Sequence, residues 1–188
     1  MIELTENDAL IVVDLQNDFV SGALTVPNAE LILPVVKDWI LRFWAEDLEI
    51  CVTKDWHPED HCSFETWPKH CVQDTWGADI HADIRELFVK LTDILEPLVR
   101  SFKKGESADK EEYSGFDNKE LEPFLVDSEK HRLFICGLAT DYCVKATAMD
   151  ALNLGYEVVL IADGMAGVQE ETTIQSLGEL VLAGAKVI

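Results

Sequence analysis

Basic residues are scarce in this chain. It holds 15 lysines and arginines against 36 aspartates and glutamates, a formal net charge of −21 over 188 residues. A surface of that sign repels phosphate backbones and anionic lipid, so nucleic acid and membranes are poor partners. Long apolar runs are missing as well: no stretch approaches the roughly 20 residues that a bilayer-spanning helix needs. The opening MIELTENDALIVVD carries acids where a secretory signal needs bases, and its apolar run is short, so a cytoplasmic protein is expected. Cysteine is sparse and odd in number, five in all, with Cys51 and Cys136 inside apolar runs. That pattern suits reduced thiols better than a disulfide framework. Repeats, low-complexity tracts and linkers are absent. What is there, 48% hydrophobic and 9% aromatic residues, excludes disorder of the whole and supplies one substantial core. Residues 1–188 are therefore expected to form one domain.

The apolar pattern alternates between two periods. Near-continuous apolar runs at 9–13, 48–53, 131–137 and 156–162 read as strands buried on both faces, with a weaker strand at 98–102 and an edge strand at 185–188. Helical spacing appears at 28–46, where Asn28 is the expected cap and Leu31, Ile32, Val35, Val36, Trp39, Ile40 and Phe43 form the apolar stripe. Pro34 is expected to bend this helix without ending it. Further helices are expected at 83–91, 118–126 and 170–182, and one carries Cys143, capped by Thr140 or Asp141 and stopped at Gly155. Strands alternating with helices predict an α/β fold, a three-layer sandwich whose mostly parallel sheet of five to six strands is covered by helices on both faces.

In an open parallel sheet, ligands bind beyond the carboxyl ends of the strands. Asp14, Asp55, Lys104 and Cys143 each fall at or just past such an end, so one rim can gather them. Cys143 sits in the first turn of its helix, where free backbone N–H groups and the helix dipole favour an anion; its thiol is expected to ionise more easily than a free one. The blander alternative, a small buried apolar residue, loses ground because of the company it keeps. A thiolate attacking a carbonyl needs a base and a cation, which Asp14 and Lys104 can supply, and the N–H groups of Ala139 and Cys143 are suited to hold an oxyanion. The connection at about 56–82 is too long for an ordinary loop and contains four histidines. Asp55 and His57, two apart, point the same way in an extended chain, and His61 and His70 can join them. Carboxylate plus imidazole suits zinc, iron or manganese.

Together these residues resemble the nicotinamidase/pyrazinamidase branch of the isochorismatase-like cysteine hydrolases. The resemblance runs through ALIVVDLQNDFVSGAL, TKDWHPEDHCSF, TWPKHCVQDTWGADIH, FKKGESADKEEYSGF and GLATDYCVKATAMDAL, nearly the whole chain. It implies a catalytic triad of Asp14, Lys104 and Cys143, an oxyanion hole from the Ala139 and Cys143 N–H groups, and a cis peptide between Leu138 and Ala139. It implies one divalent metal, zinc first and iron or manganese as alternatives, held by Asp55, His57 and His70. His61 stays outside that set, as a fourth ligand or a neighbour of the ligands. Phe19, Trp67 and Tyr113 match positions that hold an aromatic ring. Of the adjacent lysines, Lys104 is chosen over Lys103 because it directly precedes Gly105. The implied reaction is hydrolysis of nicotinamide to nicotinate and ammonia through a thioester, within NAD salvage, with pyrazinamide as a second substrate, and a homo-oligomer is compatible with the family. The rivals are a sister amidase acting on another small amide and a non-catalytic module binding metal or pyridine. Vinyl ether hydrolysis is a weaker rival, since it does not need the thiol.

Overall fold

The computed structural model describes residues 2–92 and 99–188. Six strands form one sheet: β1 (Asp8–Val13), β2 (Glu49–Asp55), β3 (Val99–Lys104), β4 (Arg132–Leu138), β5 (Glu157–Ala166) and β6 (Lys186–Val187). They lie in the order β3-β2-β1-β4-β5-β6, and every pairing is parallel. The expected α/β architecture is therefore present, with the sheet wholly parallel. Leu98, the expected first residue of the third strand, lies outside the described residues.

Strand residues alternate between two cores, which is why the strands are apolar throughout. Leu10 and Val12 of β1 and Ile50 and Val52 of β2 face α2 (Ala29–Ala45) and α3 (Ala82–Thr92). Ala9, Ile11 and Val13 point the other way, toward α4 (Leu121–Asp127), α5 (Lys145–Asn153) and α6 (Glu170–Leu182). The first core is anchored by Trp39, Phe43 and Phe134, whose ring centroids lie 5.3 to 6.3 Å apart. Each such buried side chain contributes about 1.5–3 kcal/mol. Strand β1 pairs with β2 on one side and β4 on the other, so the chain reverses its direction of travel across the sheet at the β1/β4 boundary. No described helix is long and apolar enough to cross a membrane.

Several local expectations need correction. Leu31 is 71% exposed, and Leu33 takes its place in the buried stripe of α2. Helical spacing alone leaves a one-residue ambiguity at the edge of a stripe, and contact with the sheet settled it. Asn28 does precede α2 but adopts a left-handed conformation with φ 63°, and its side chain makes no capping hydrogen bond. The turn-rich stretch after β1 contains a short helix, α1 (Asn17–Val20). The helix expected at 118–126 begins at Leu121, because Asn118 turns the chain by accepting the Glu120 N–H. Strand β5 runs past Asp163 to Ala166, with an irregularity opposite β4 between Ile135 and Gly137. The edge strand, the stop at Gly155 and helix α6 stand where expected.

Candidate active site

Four strand ends do meet on one rim. Asp14 directly follows β1, with φ 47°, and Thr53 of β2 fixes its carboxylate: the Thr53 hydroxyl donates to Asp14 Oδ1 at 2.6 Å. Asp55 closes β2, and Lys104 closes β3 opposite it in register. Past β4, Ala139 follows a cis peptide from Leu138 and precedes a π-helical turn, Thr140–Val144, that leads into α5. Cys143 sits in that turn. Neither Thr140 nor Asp141 caps it; Ala139 occupies the N-cap. The Asp141 carboxylate instead accepts the Val168 and Gln169 N–H groups and the Thr172 hydroxyl, tying the start of α6 to the turn.

Lys104 is the hub. It is fully buried, its ammonium lies 2.9 Å from Asp14 Oδ2, contacts Asp55 Oδ1, and donates to Cys143 Sγ at 3.4 Å. Oxygens of Asp14 and Asp55 and the sulfur of Cys143 all lie within 4.8 Å of one another. Lys103, by contrast, is exposed, with its ammonium 4.0 Å above the Trp56 ring. Asp14 Oδ2, on the side of the carboxylate that Thr53 leaves free, is buried and ion-paired with the Lys104 ammonium. A buried carboxylate oxygen beside a thiol is placed to accept its proton.

The charges do not act as the helix position alone suggested. Burial pushes the Cys143 thiol well above its ordinary value, and Asp14 and Asp55 add to that, while Lys104 opposes them without prevailing. The expectation of an easily ionised thiol therefore fails for the ion-free protein, because burial, with two carboxylates beside the sulfur, outweighs the one ammonium. Burial also raises Asp14, against the pull of Lys104. For Asp55, burial acts upward too, but Lys104 and His57 outweigh it and hold the carboxyl below the usual range. Lys104 is held well above its ordinary value, since the two carboxylates overcome the effect of burial.

Beside this group lies a second one. Ligand atoms of Asp55, His57 and His70 fall within 4.8 Å of one another, and all three residues are buried. His57 Nδ1 donates to the Gly105 carbonyl at 3.0 Å, and His70 Nδ1 donates to the Pro68 carbonyl at 2.8 Å. Each imidazole thus turns Nε2 toward Asp55 Oδ2, at 3.5 and 4.0 Å. Two imidazole Nε2 atoms and a carboxylate oxygen, with the tautomers set by carbonyls behind them, fit a divalent metal with open positions for other ligands. Asp55 raises His57 despite its burial, so a proton and an ion compete for this corner. His61 stands apart: Nε2 donates to the Lys110 carbonyl at 3.0 Å and Nδ1 accepts the Ser63 N–H, so both nitrogens are engaged while the ring stacks on His57 at 4.0 Å. Asp14, Asp55 and Cys143 also cluster as ligands might, but the Lys104 ammonium already serves as their cation.

Both groups open onto one cavity. Cys143, Ala139, Asp55, His57 and His70 line it together with Phe19, Trp67 and Tyr113. Phe19 lies 5.5 Å from the His70 ring, and Trp67 Nε1 donates to the Tyr113 hydroxyl at 3.5 Å. Tyr142, edge-on to Trp67 at 5.2 Å, completes the aromatic wall, and sequence reasoning passed over it. Its place next to Cys143 was the available signal. Gln16 was missed for a different reason. Its amide donates to the Asp55 carbonyl at 2.7 Å and accepts the Asp55 N–H at 2.8 Å, acting as one more rung between β1 and β2. Asp18 similarly accepts the Cys71 N–H at 2.7 Å and fixes the chain next to His70. Both lie in the stretch LQNDF, where nothing but three-dimensional proximity reveals whom they serve.

A parallel α/β sheet bearing a thiol, an ammonium and two carboxylates at its carboxyl rim, beside a candidate divalent-metal site, defines a class of α/β hydrolytic enzymes. The family follows from comparison with known proteins. Residues 8–188 match the isochorismatase domain, and the chain belongs to that family. It is 36% identical to a nicotinamidase of Escherichia coli over 94% of this chain and 92% of that one. The structure of a pyrazinamidase of Pyrococcus horikoshii in complex with zinc is similar at a TM-score of 0.88 and 41% identity, over 97% of this chain and 98% of that one. A protein of L. infantum in complex with nicotinate is similar at a TM-score of 0.84 and 32% identity, over 100% and 95%.

Proposed function

We propose that this protein is a nicotinamidase that hydrolyses nicotinamide to nicotinate and ammonia, and that pyrazinamide, with a ring of the same shape, is also a substrate. The observation that carries the reading is the shared cavity: a thiol on one wall with the buried Asp14 and Lys104 behind it, a carboxylate and two imidazoles on the next, and aromatic rings around them. The relatives named nicotinamidase and pyrazinamidase support it. Residues 1–188 act as one unit in this scheme, since the site draws on β1, β2, β3 and the turn after β4. All five cysteines are free, in keeping with action in a reducing cytoplasm.

Asp14 takes the Cys143 proton on its carboxylate, and the sulfur attacks the amide carbon. Lys104 holds the charge of the thiolate, and the N–H groups of Ala139 and Cys143 hold the oxyanion. The C–N bond then breaks, and the leaving nitrogen collects the proton from Asp14 and departs as ammonia, leaving a thioester. Water, deprotonated by Asp14, attacks the thioester; the C–S bond breaks, the proton returns to sulfur, and nicotinate leaves. Phe19, Trp67 and Tyr113 hold the flat ring. When bound by Asp55, His57 and His70, a divalent ion supplies a Lewis-acid anchor for the ring nitrogen, and zinc suits two imidazoles and one carboxylate best. The test is ammonia release from nicotinamide by purified protein, with and without prior chelation, against Cys143→Ala. Release that requires both the thiol and the ion supports the scheme. Full release by Cys143→Ala overturns it, and no release by folded, ion-loaded protein shifts the reading to another small amide.

A further inference from the structure

The segment after β3 does more than lead away from Lys104. Gly105 turns there with φ 68°, packed so closely on His57 that an added Cβ would sit 2.4 Å from the imidazole Cε1 and 2.5 Å from Nδ1. Its carbonyl accepts the His57 Nδ1–H, and its own N–H donates to Glu112 Oε2 at 2.7 Å. The other oxygen of Glu112 accepts from Lys110 Nζ at 2.6 Å, and the Lys110 carbonyl accepts the His61 Nε2–H. The Cys62 N–H donates to the Ala108 carbonyl at 2.7 Å. Residues 105–112 thus form a strap whose carbonyls fix two stacked imidazoles, and Glu112 is the side chain that closes the strap on itself.

We propose that Glu112 is a positioning residue for the ion site: by gripping the Gly105 N–H it sets the carbonyl that aims His57 Nε2. The chemistry favours this role over a surface ion pair. A carboxylate accepting a backbone N–H at 2.7 Å makes a strong, charge-assisted bond with a fixed direction. Three links, carboxylate to N–H, across the tightly packed Gly105 Cα to its carbonyl, and carbonyl to imidazole N–H, connect Glu112 to the ligand imidazole. Lys110 steadies the carboxylate from outside, and its exposed position makes it the weaker member. Glu112 also lines the cavity, which places the strap within reach of the reaction. The inference rests on Asp55, His57 and His70 being the ion ligands of the proposed nicotinamidase.

The test is zinc affinity of metal-free protein, measured by competition with a chromophoric chelator, for wild type, Glu112→Ala and Glu112→Gln. Partners behind a ligand are worth about 10- to 100-fold in affinity, so Glu112→Ala is expected to bind zinc at least about tenfold more weakly. Glu112→Gln still offers an oxygen to the Gly105 N–H and is expected to recover most of that loss, which a role resting on charge alone would not allow. Cobalt-loaded protein gives a second readout: its visible absorption is expected to shift in Glu112→Ala and to return in Glu112→Gln, which a purely structural role would leave unmoved. Unchanged zinc affinity in Glu112→Ala overturns the proposal. So does a zinc affinity for Glu112→Gln as weak as that of Glu112→Ala, and this arm stands if the alanine variant fails to fold and the glutamine variant binds about tenfold more weakly than wild type. Should wild type bind zinc and Glu112→Ala bind it weakly while neither releases ammonia from nicotinamide, the substrate reading fails and the positioning role survives.

Discussion

Replacing Lys104 with methionine tests the electrostatic core of the site. The side chain is similar in length and apolar, so the change removes the charge with little change of shape. In the wild type one buried ammonium serves two buried carboxylates, Asp14 at 2.9 Å and Asp55 in direct contact. Removing one partner of a buried ion pair costs roughly 3–5 kcal/mol, because the remaining charge stays buried and uncompensated. Lys104→Met is therefore expected to lose about that much at pH 7 in the presence of a chelator. With a slope of roughly 1–3 kcal/mol per molar urea, the unfolding midpoint should fall by more than about 1 M. The pH dependence has a definite sign. Asp55 is held below its ordinary value of 3.8 in the folded wild type, so it contributes stability above that value and loses it as pH falls through its folded value. In the variant, buried carboxylates without a cation are raised instead, and protonation relieves them as pH falls. The deficit should be widest at pH 7 and narrower at pH 5. Urea melts of both proteins at the two values, with the exposed Lys103→Met as a control losing less than about 1 kcal/mol, read this out. A variant as stable as wild type at pH 7, or a deficit that grows on acidification, would refute the reasoning.

Other consequences can be measured separately. Because burial, aided by Asp14 and Asp55, raises the Cys143 thiol, its alkylation by iodoacetamide in chelated protein should be slower than that of free cysteine at pH 8 and keep rising beyond pH 9; peptide mapping that finds a plateau below pH 7 would contradict this. Trp67→Ala removes a ring that meets Tyr142 and Tyr113, and should raise KM for nicotinamide by about two- to tenfold, the equivalent of the roughly 0.5–1.5 kcal/mol that aromatic pairs contribute beyond area; an unchanged KM would remove Trp67 from the substrate wall. Gly137→Ala places a Cβ 2.1 Å from the Val13 carbonyl oxygen at φ 115°, so a loss of more than about 1 kcal/mol in a urea melt is expected, and a neutral result would mean that β1 and β4 can part.

Much of this protein was legible in its sequence, because the signals were local. A strand buried on both faces must be apolar at every position, and the runs around Leu10, Ile50, Phe134 and Leu160 announced the sheet. The rule that parallel strands present ligands at their carboxyl ends then put Asp14, Asp55, Lys104 and Cys143 on one rim before any coordinates. The spacing of Asp55 and His57 and the loop that returns His70 suggested an ion. What stayed hidden depends on contacts between segments far apart in the chain. The thiol of Cys143 looked easily ionised from its helix position, and only its burial in the packed site, beside two carboxylates, reverses the direction. Lys104 was chosen over its neighbour Lys103 in the sequence, but that its ammonium is buried between two carboxylates is visible only once β3 is paired with β2. Gln16, Asp18, Thr53, Tyr142 and Glu112 carry no motif of their own. Their importance comes from which backbone N–H, carbonyl or ring happens to face them, and that is a property of the packed sheet and its loops. The periodicity and strand-end chemistry of the sequence were enough to determine the layers and the list of reactive groups; only the tertiary structure decided their charges, their tautomers and the polar side chains that hold them in place.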